Sequence, residues 1–429
     1  MSESRRSKVS ASDTSLPTVS LSSSHGSTLE ALGRRAIHPF PARMAPGIAL
    51  EALGSSPQRL RVLDPMMGSG TVIAAARMFG HEAVGFDIDP LAVLLSRVWT
   101  RRSNESAVRK KAVEVLSRAA LRSRLLSASE AYPVRSDWET QQFTKYWFDT
   151  RARCQLATLA TAIAGVREVS TREVLWCAFS RLIITKTAGA SLAMDLSHSR
   201  PHRAYKRAPV MPFDRFISAV DYVVKNCQQG DPSTTGPAPK LLCRDARAMR
   251  LRRDSFDMVV TSPPYLNAID YMRCSKFSLV WMGYRIVEIR GIRGQSVGVE
   301  AASRAASKAK WVGQLLDELA PKPRLSSRYQ GLLERYVWDM GKAIDGVSRV
   351  LRRGGRAVYV VGDSMSKGTF ISNSTIIEQL AIGRGLRLDA SSMRTLPSSR
   401  RYLPPPVAQG ENELDGRMRR EVVMSFTKV

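Results

Sequence analysis

The sequence predicts an α/β protein: a mainly parallel, doubly wound sheet with helices on both faces, an antiparallel edge strand and a largely helical insertion. Three observations carry this expectation. Short apolar runs with abrupt polar ends alternate with helical stretches, a glycine-rich turn joins the first run to its helix, and the last two runs follow one another with no helix between them.

Arg59 to Pro65 has the profile of a buried strand, and GSGTVIAAARMFG after it reads as a turn opening a helix. Glu82 to Asp89 is a second strand, and Pro90 stands at a first helical turn, where its missing N–H is not needed. Together they form a βαβ unit, for which a right-handed connection is expected. From Arg101 to Pro239 the pattern turns to Ala, Leu, Arg and Ser at helical spacing, the insertion. It interleaves aromatic and basic residues at Trp138, Phe143, Lys145, Tyr146, Trp147 and Phe148, carries the basic stretch Ser197 to Pro209, and closes on a linker-like QQGDPSTTGPAP. Strand signals return at Leu241 to Ala246, Phe256 to Tyr265 and Gly354 to Ser364, the last followed by a capped helix in NSTIIEQLAIGRGL. A second helical and basic stretch lies between, from Ile269 to Leu351. LRLDASSMRTL and EVVMSFTKV supply the last two strands, separated by a Pro-rich excursion at Leu403 to Val407. Residues 1–28, Ser-rich with few apolar side chains, read as a disordered tail, leaving a first half over 29–100, the insertion over 101–239 and a second half over 240–429.

The 429 residues include 65 Lys and Arg against 38 Asp and Glu, a formal net charge of +27, and 44% are hydrophobic. That apolar fraction supplies a sizeable core and excludes collagen-like and wholly disordered chains. No apolar run reaches the roughly 18 residues of a membrane span. The polar N-terminus lacks the apolar segment of a secretory signal, and Cys154, Cys177, Cys227, Cys243 and Cys274 never form a CxxC pair. These features argue against export, a disulfide framework and a structural zinc site, and fit a reducing cytoplasm. A basic excess of this size points to a polyanion, nucleic acid ahead of a membrane surface, over a merely solvated face.

Asp64 to Thr71, DPMMGSGT, joins the first strand to its helix. Gly68 and Gly70 can take positive φ and let a ligand approach the backbone. No Lys-Ser or Lys-Thr follows, which excludes a Walker A loop; by itself the turn fits a dinucleotide site or a tight turn that binds nothing. Asp87, ending the second strand, is placed to accept hydrogen bonds from the two hydroxyls of a ribose. Asp89 could share that role, although a helix N-terminal carboxylate before Pro90 is the reading its position favours. TSPPY, Thr261 to Tyr265, stands at the C-terminal edge of its strand, where open sheets bind ligands. Its prolines fix the backbone and donate nothing, so Ser262 and the Pro263 carbonyl form an acceptor-rich cradle suited to an amino group, with Tyr265 as a flat surface. In an arbitrary loop, Pro-Pro-Tyr is a turn or a peptide ligand. His38, His81, His198 and His202 make no ligand cluster, so no metal is expected; His198 and His202, flanked by arginines, read as a phosphate-facing loop.

In this order, DPMMGSGT, GFDID and TSPPY resemble the S-adenosylmethionine-dependent amino-methyltransferases of DNA, which methylate the exocyclic nitrogen of cytosine or adenine. HPFPARM, His38 to Met44, is similar to the segment those enzymes place before the glycine-rich loop. The resemblance covers about half of the chain and implies a Rossmann-like methyltransferase sheet. It implies that Asp64, Gly68, Ser69, Gly70 and Thr71 line the methionine moiety of S-adenosyl-L-methionine with His38, Pro39 and Phe40, that Asp87 holds the ribose, and that Asp245 faces the adenine amino group. Ser262, Pro263, Pro264 and Tyr265 would be the catalytic loop, acting on a base flipped out of double-stranded DNA. Ser before Pro-Pro-Tyr is associated in that family with cytosine N4, and Asp or Asn with adenine N6. Methylation at cytosine C5 needs a cysteine after a proline, and none is present. The insertion is the first candidate for target recognition and Arg285 to Arg328 the second, a helical packing element or dimer surface being the plainer reading. A cognate restriction nuclease is a further partner the resemblance allows. An amino-methyltransferase of RNA, or a nucleic-acid-binding protein that no longer turns over, are the rival readings.

Overall fold

The computed structural model describes residues 27–41, 43–54, 56–197, 201–227, 236–266, 272–298, 304–307, 309–319, 327–366, 369–395 and 420–429. The expected tail therefore lies outside them up to residue 26. At its end, Ser27 and Glu30 exchange hydrogen bonds in a capping box, so the helix Thr28–Leu32 starts sooner than composition suggests. The linker over 228–235, His198 and the Pro-rich excursion also lie outside the described residues.

Among the described residues the main sheet has seven strands: β1 Arg61–Asp64, β2 Glu82–Asp87, β3 Lys240–Cys243, β4 Phe256–Thr261, β5 Leu351–Gly362, β8 Leu386–Thr395 and β9 Arg420–Lys428, with a small hairpin of β6 Ser364–Ser366 and β7 Thr369–Ile371 beside it. Their order is β3-β2-β1-β4-β5-β9-β8, with β1 to β5 parallel. β9 runs antiparallel to both β5 and β8, so the reversed strand lies one place in from the edge, and β8 is the edge. The order reverses between β1 and β4, the switch point at which such sheets leave a crevice beyond their strand ends.

Side chains alternate across the sheet. Val62, Ala83, Met258, Val260 and Val358 enter one core with the helices Thr71–Met78 and Pro90–Trp99, whereas Leu63, Val84, Val259, Ala357 and Tyr359 enter the other with Ser327–Val350 and Asn373–Ile382. The helices Glu105–Ser123, Thr150–Ala164, Val169–Ile183 and Pro212–Lys225 of the inserted stretch contribute Val108, Ala112, Leu156, Leu175, Phe179 and Val220 to the first core, all essentially withdrawn from water. They are thus continuous with the layer covering that face of the sheet. The helix Pro46–Gly54, buried along Ile48, Ala49, Ala52 and Leu53, packs on Thr71–Met78 and was not signalled by the sequence.

Candidate active site

The glycine-rich turn is folded by its own backbone and by Asp87. Met67 N–H donates to the Phe86 carbonyl at 2.8 Å and Gly70 N–H to the Met67 carbonyl at 2.9 Å. Asp87 accepts from Gly68 N–H at 2.9 Å through Oδ2 and from Asp89 N–H at 2.8 Å through Oδ1, with the Ile88 N–H a third backbone donor, so the carboxylate keeps acceptor capacity for one more hydrogen bond. Gly68 and Gly70 have φ of +50° and +90°. At Gly70 a Cβ would fall inside the Ser96 side chain, so glycine is required there on both counts. Gly70 caps the helix Thr71–Met78 without a side chain, and the buried Ser69 hydroxyl has no partner among the described residues. The first-turn N–H groups are therefore available to an anionic group.

His38 and Phe40 are buried, and Phe40 is the neighbour a Gly68 side chain would meet. His38 Nε2 lies 2.9 Å from Ser180 Oγ, and Ser180 donates onward to Ser278 at 2.8 Å. Ser180 has one proton and spends it on Ser278, so Nε2 carries the imidazole proton and Nδ1 is a bare acceptor. Burial first, then Arg181 and Arg43, hold the ring's pKa well below the usual histidine range, so it is neutral. Nδ1 is buried with no partner among the described residues.

Three carboxylates crowd the crevice. Burial raises Asp64 to about 7, Asp87 to about 6 and Asp89 to about 7, with donors partly offsetting it and mutual repulsion adding to it at Asp64 and Asp89. Asp89 caps Pro90–Trp99 through Leu91 N–H at 2.9 Å and accepts from Ser275 Oγ at 2.5 Å, so it is the helix N-terminal carboxylate its position suggests. Asp245 is differently committed. Its oxygens take the Arg247 backbone N–H at 2.8 Å and the Arg247 guanidinium at 2.6 to 3.0 Å, and Arg247 also reaches Asp339 at 2.5 Å. Arg247 thus supplies three N–H donors to this carboxylate, which leaves room for one further donor such as the adenine amino group that the resemblance implies.

TSPPY begins on Thr261, the last residue of β4. Thr261 is fully buried and its Oγ1 donates to Asp64 Oδ1 at 2.8 Å, tying this loop to the start of the glycine-rich one. Ser262 and Pro264 are half-buried and Pro263 buried. The Tyr265 hydroxyl lies 3.4 Å from Ser262 Oγ and donates to Glu421 Oε1 at 3.3 Å. Glu421, Ser180 and Ser275 carry no motif and were not found from sequence.

The inserted helix Trp138–Trp147 flanks the loop's continuation. Phe143 and Trp147 pack edge-on against Phe277 of the helix Met272–Leu279, which follows TSPPY in the chain. On its outer side Trp138 is 75% and Tyr146 52% exposed, and the Arg203 guanidinium sits 5.6 Å from the Tyr146 ring centre. Among the described residues no His, Cys, Asp and Glu grouping could hold a metal ion, and no helix is long and apolar enough to cross a membrane.

A glycine-rich turn, Asp87 at the end of β2 and a Ser-Pro-Pro-Tyr loop stand together at the switch point of a doubly wound sheet of methyltransferase type. No family model matches the sequence. The chain is 23% identical to the Type II methyltransferase M.MvaI of Kocuria varians over 395 residues, 85% of this chain and 84% of that protein. It is 24% identical to M.BsoBI of Geobacillus stearothermophilus over 58% of this chain and 52% of that protein, and 21% identical to M.AvaI of Nostoc over 77% and 73%. The chain is thus similar over most of its length to Type II methyltransferases.

Proposed function

We propose that this protein transfers a methyl group from S-adenosylmethionine to the exocyclic amino group of a flipped base in double-stranded DNA, cytosine N4 by preference. The observation that carries this reading is the Thr261–Asp64 hydrogen bond, which sets the TSPPY loop against the glycine-rich turn at the switch point. S-adenosylmethionine supplies an electrophilic methyl group on a sulfonium. The chain's own residues bind and orient. His38 Nδ1 accepts from the ammonium of the methionine moiety, the N-terminus of Thr71–Met78 faces its carboxylate, and Asp87 accepts from a ribose hydroxyl. Ser262 Oγ and the Pro263 carbonyl accept the amino protons of the base, favouring a pyramidal nitrogen with an available lone pair, while Tyr265 stacks on the ring. Displacement in line is then a matter of positioning, and the proton leaves afterwards.

Ser262 favours cytosine through the association of a Ser-Pro-Pro-Tyr loop with N4 chemistry. Trp138 and Tyr146 of the helix Trp138–Trp147, with Arg203 from the segment before Pro212–Lys225, supply a DNA-facing surface. Expression in a methylation-deficient host, with modified bases mapped by single-molecule sequencing, tests the reading. N4-methylcytosine at one short site is expected; N6-methyladenine corrects the base. Transfer of labelled methyl to RNA alone, or to no nucleic acid, overturns it.

A further inference from the structure

Beside the TSPPY loop lies a buried ion pair that the transfer mechanism above does not use. Arg394 of β8 and Glu421 of β9 are cross-strand neighbours in the ladder, and Glu421 also pairs with Gly362 at the C-terminal end of β5. Arg394 Nε and Nη2 both reach Glu421 Oε2, at 2.9 and 2.8 Å, and the two side chains are only 8% and 12% exposed. The other oxygen, Oε1, faces the Tyr265 hydroxyl at 3.3 Å, which in turn lies 3.4 Å from Ser262 Oγ. A continuous file therefore runs Arg394, Glu421, Tyr265, Ser262, from the antiparallel pair β8 and β9 into the loop.

We propose that Glu421 is a positioning residue that orders the hydrogen bonds of this file so that Ser262 presents lone pairs, not its proton, to the amino group of the target base. This rests on the amino-methyltransferase reading of the loop. Arginine can only donate, and an ionised carboxylate can only accept. With Oε2 filled by Arg394, Oε1 receives the Tyr265 proton in a charge-assisted bond. The Tyr265 oxygen then has lone pairs to offer, and Ser262 Oγ–H turns toward them. Both lone pairs of Ser262 are left for the amino protons of the base. The same bond fixes the Tyr265 ring in the orientation it presents to the base. The spacings of 3.3 and 3.4 Å suit a site that tightens when substrate fills it. A pair withdrawn from water gains little net stability over apolar side chains of the same size, which fits a directional role at this place.

Glu421→Gln tests the proposal, because an amide of the same shape can donate as well as accept and no longer fixes the direction. With saturating DNA and cofactor, at a temperature where the variant is fully folded, kcat is expected to fall roughly tenfold to a hundredfold while cofactor affinity by calorimetry stays near wild type; the thermal midpoint drops because Arg394 loses its charged partner. In a Tyr265→Phe background, which cuts the file, the same change should have no further effect. Arg394→Gln, which withdraws the cation from the other end, should repeat the loss in the parent and its absence in the Tyr265→Phe background, and serves if Glu421→Gln does not fold. An unchanged kcat in Glu421→Gln, or an equal fall in both backgrounds, overturns the proposal and leaves the methyltransferase reading standing. A wild-type protein that methylates no DNA overturns both.

Discussion

Thr261 Oγ1 donates to Asp64 Oδ1 across 197 positions of sequence, joining the C-terminal ends of β4 and β1 inside the crevice. Asp64 Oδ1 also accepts from Met66 N–H, so a single carboxylate oxygen holds both the glycine-rich turn and the TSPPY loop. Thr261→Val keeps the shape and removes the donor from a buried carboxylate. The expected loss is about 1.5–3 kcal/mol of stability, the range for a hydrogen bond to a charged group. Thr261→Ser should recover most of it. Denaturant unfolding of the three proteins decides the matter, and equal stability of Val and Ser variants would show that the hydroxyl does not bind the two loops together.

The carboxylates of the crevice predict a pH dependence of definite sign. Asp64, Asp87 and Asp89 are raised to about 7, 6 and 7, above the 3.8 of a free aspartate. The native state therefore holds more protons than the unfolded one between roughly pH 4 and 7, and their contribution to stability is present at the acid end of that window and lost as pH rises through it. The ligand-free thermal midpoint should carry a component that declines from pH 5 to 7 and shrinks in Asp87→Asn. Cofactor affinity should move the opposite way, because a ribose hydroxyl donates to an ionised Asp87. A dissociation constant by calorimetry that does not fall between pH 5 and 7 would contradict the assignment of Asp87.

Gly70 and Gly80 separate backbone strain from space. Both have positive φ, +90° and +74°, but nothing lies within 4 Å of a Cβ at Gly80, whereas one at Gly70 overlaps Ser96. Gly80→Ala should cost about 1–2 kcal/mol, the left-handed penalty alone, with cofactor binding unchanged. Gly70→Ala should displace the turn from the helix Pro90–Trp99 and abolish cofactor binding. Calorimetry of the two variants distinguishes them, and similar affinities would show that the Ser96 contact does not shape the pocket.

Much of this site is legible in the sequence because it is local. The β1-turn-helix-β2 unit and TSPPY are contiguous segments whose glycines and prolines fix their own backbones, and Pro90 marks the helix that Asp89 caps. What escapes reading depends on partners far away in the chain. Glu421 meets Tyr265 across 156 positions and His38 meets Ser180 across 142, and neither glutamate nor serine announces its partner by type or spacing. Asp245 looks free as a sequence feature, yet the backbone folds the Arg247 guanidinium back over it. The inserted helices show the same limit: their apolar spacing declares a buried face, yet the strands beneath it are set by topology.

Trp138, Tyr146 and Arg203 offer a test of where DNA is held. Tyr146 is stacked edge-on against Trp147, and Trp147 against Phe277, so the exposed ring is backed by the helix that follows the TSPPY loop in the chain. An aromatic face with a guanidinium over it suits a nucleotide stack combined with a phosphate contact. Arg203→Ala should weaken binding to DNA of any sequence and reduce the slope of log affinity against log salt by about 0.9, one released counterion. Trp138→Ala and Tyr146→Ala should weaken binding with the slope unchanged, because stacking releases no ions. Arg387, exposed on the edge strand β8 and paired with Asp389, is the control, and its replacement by Ala should leave both quantities as they were. Fluorescence anisotropy with a labelled duplex at several salt concentrations measures all four. Loss of the same size from Arg387 and Arg203 would mean that the +27 charge acts as a diffuse field, with no binding face at the inserted helix.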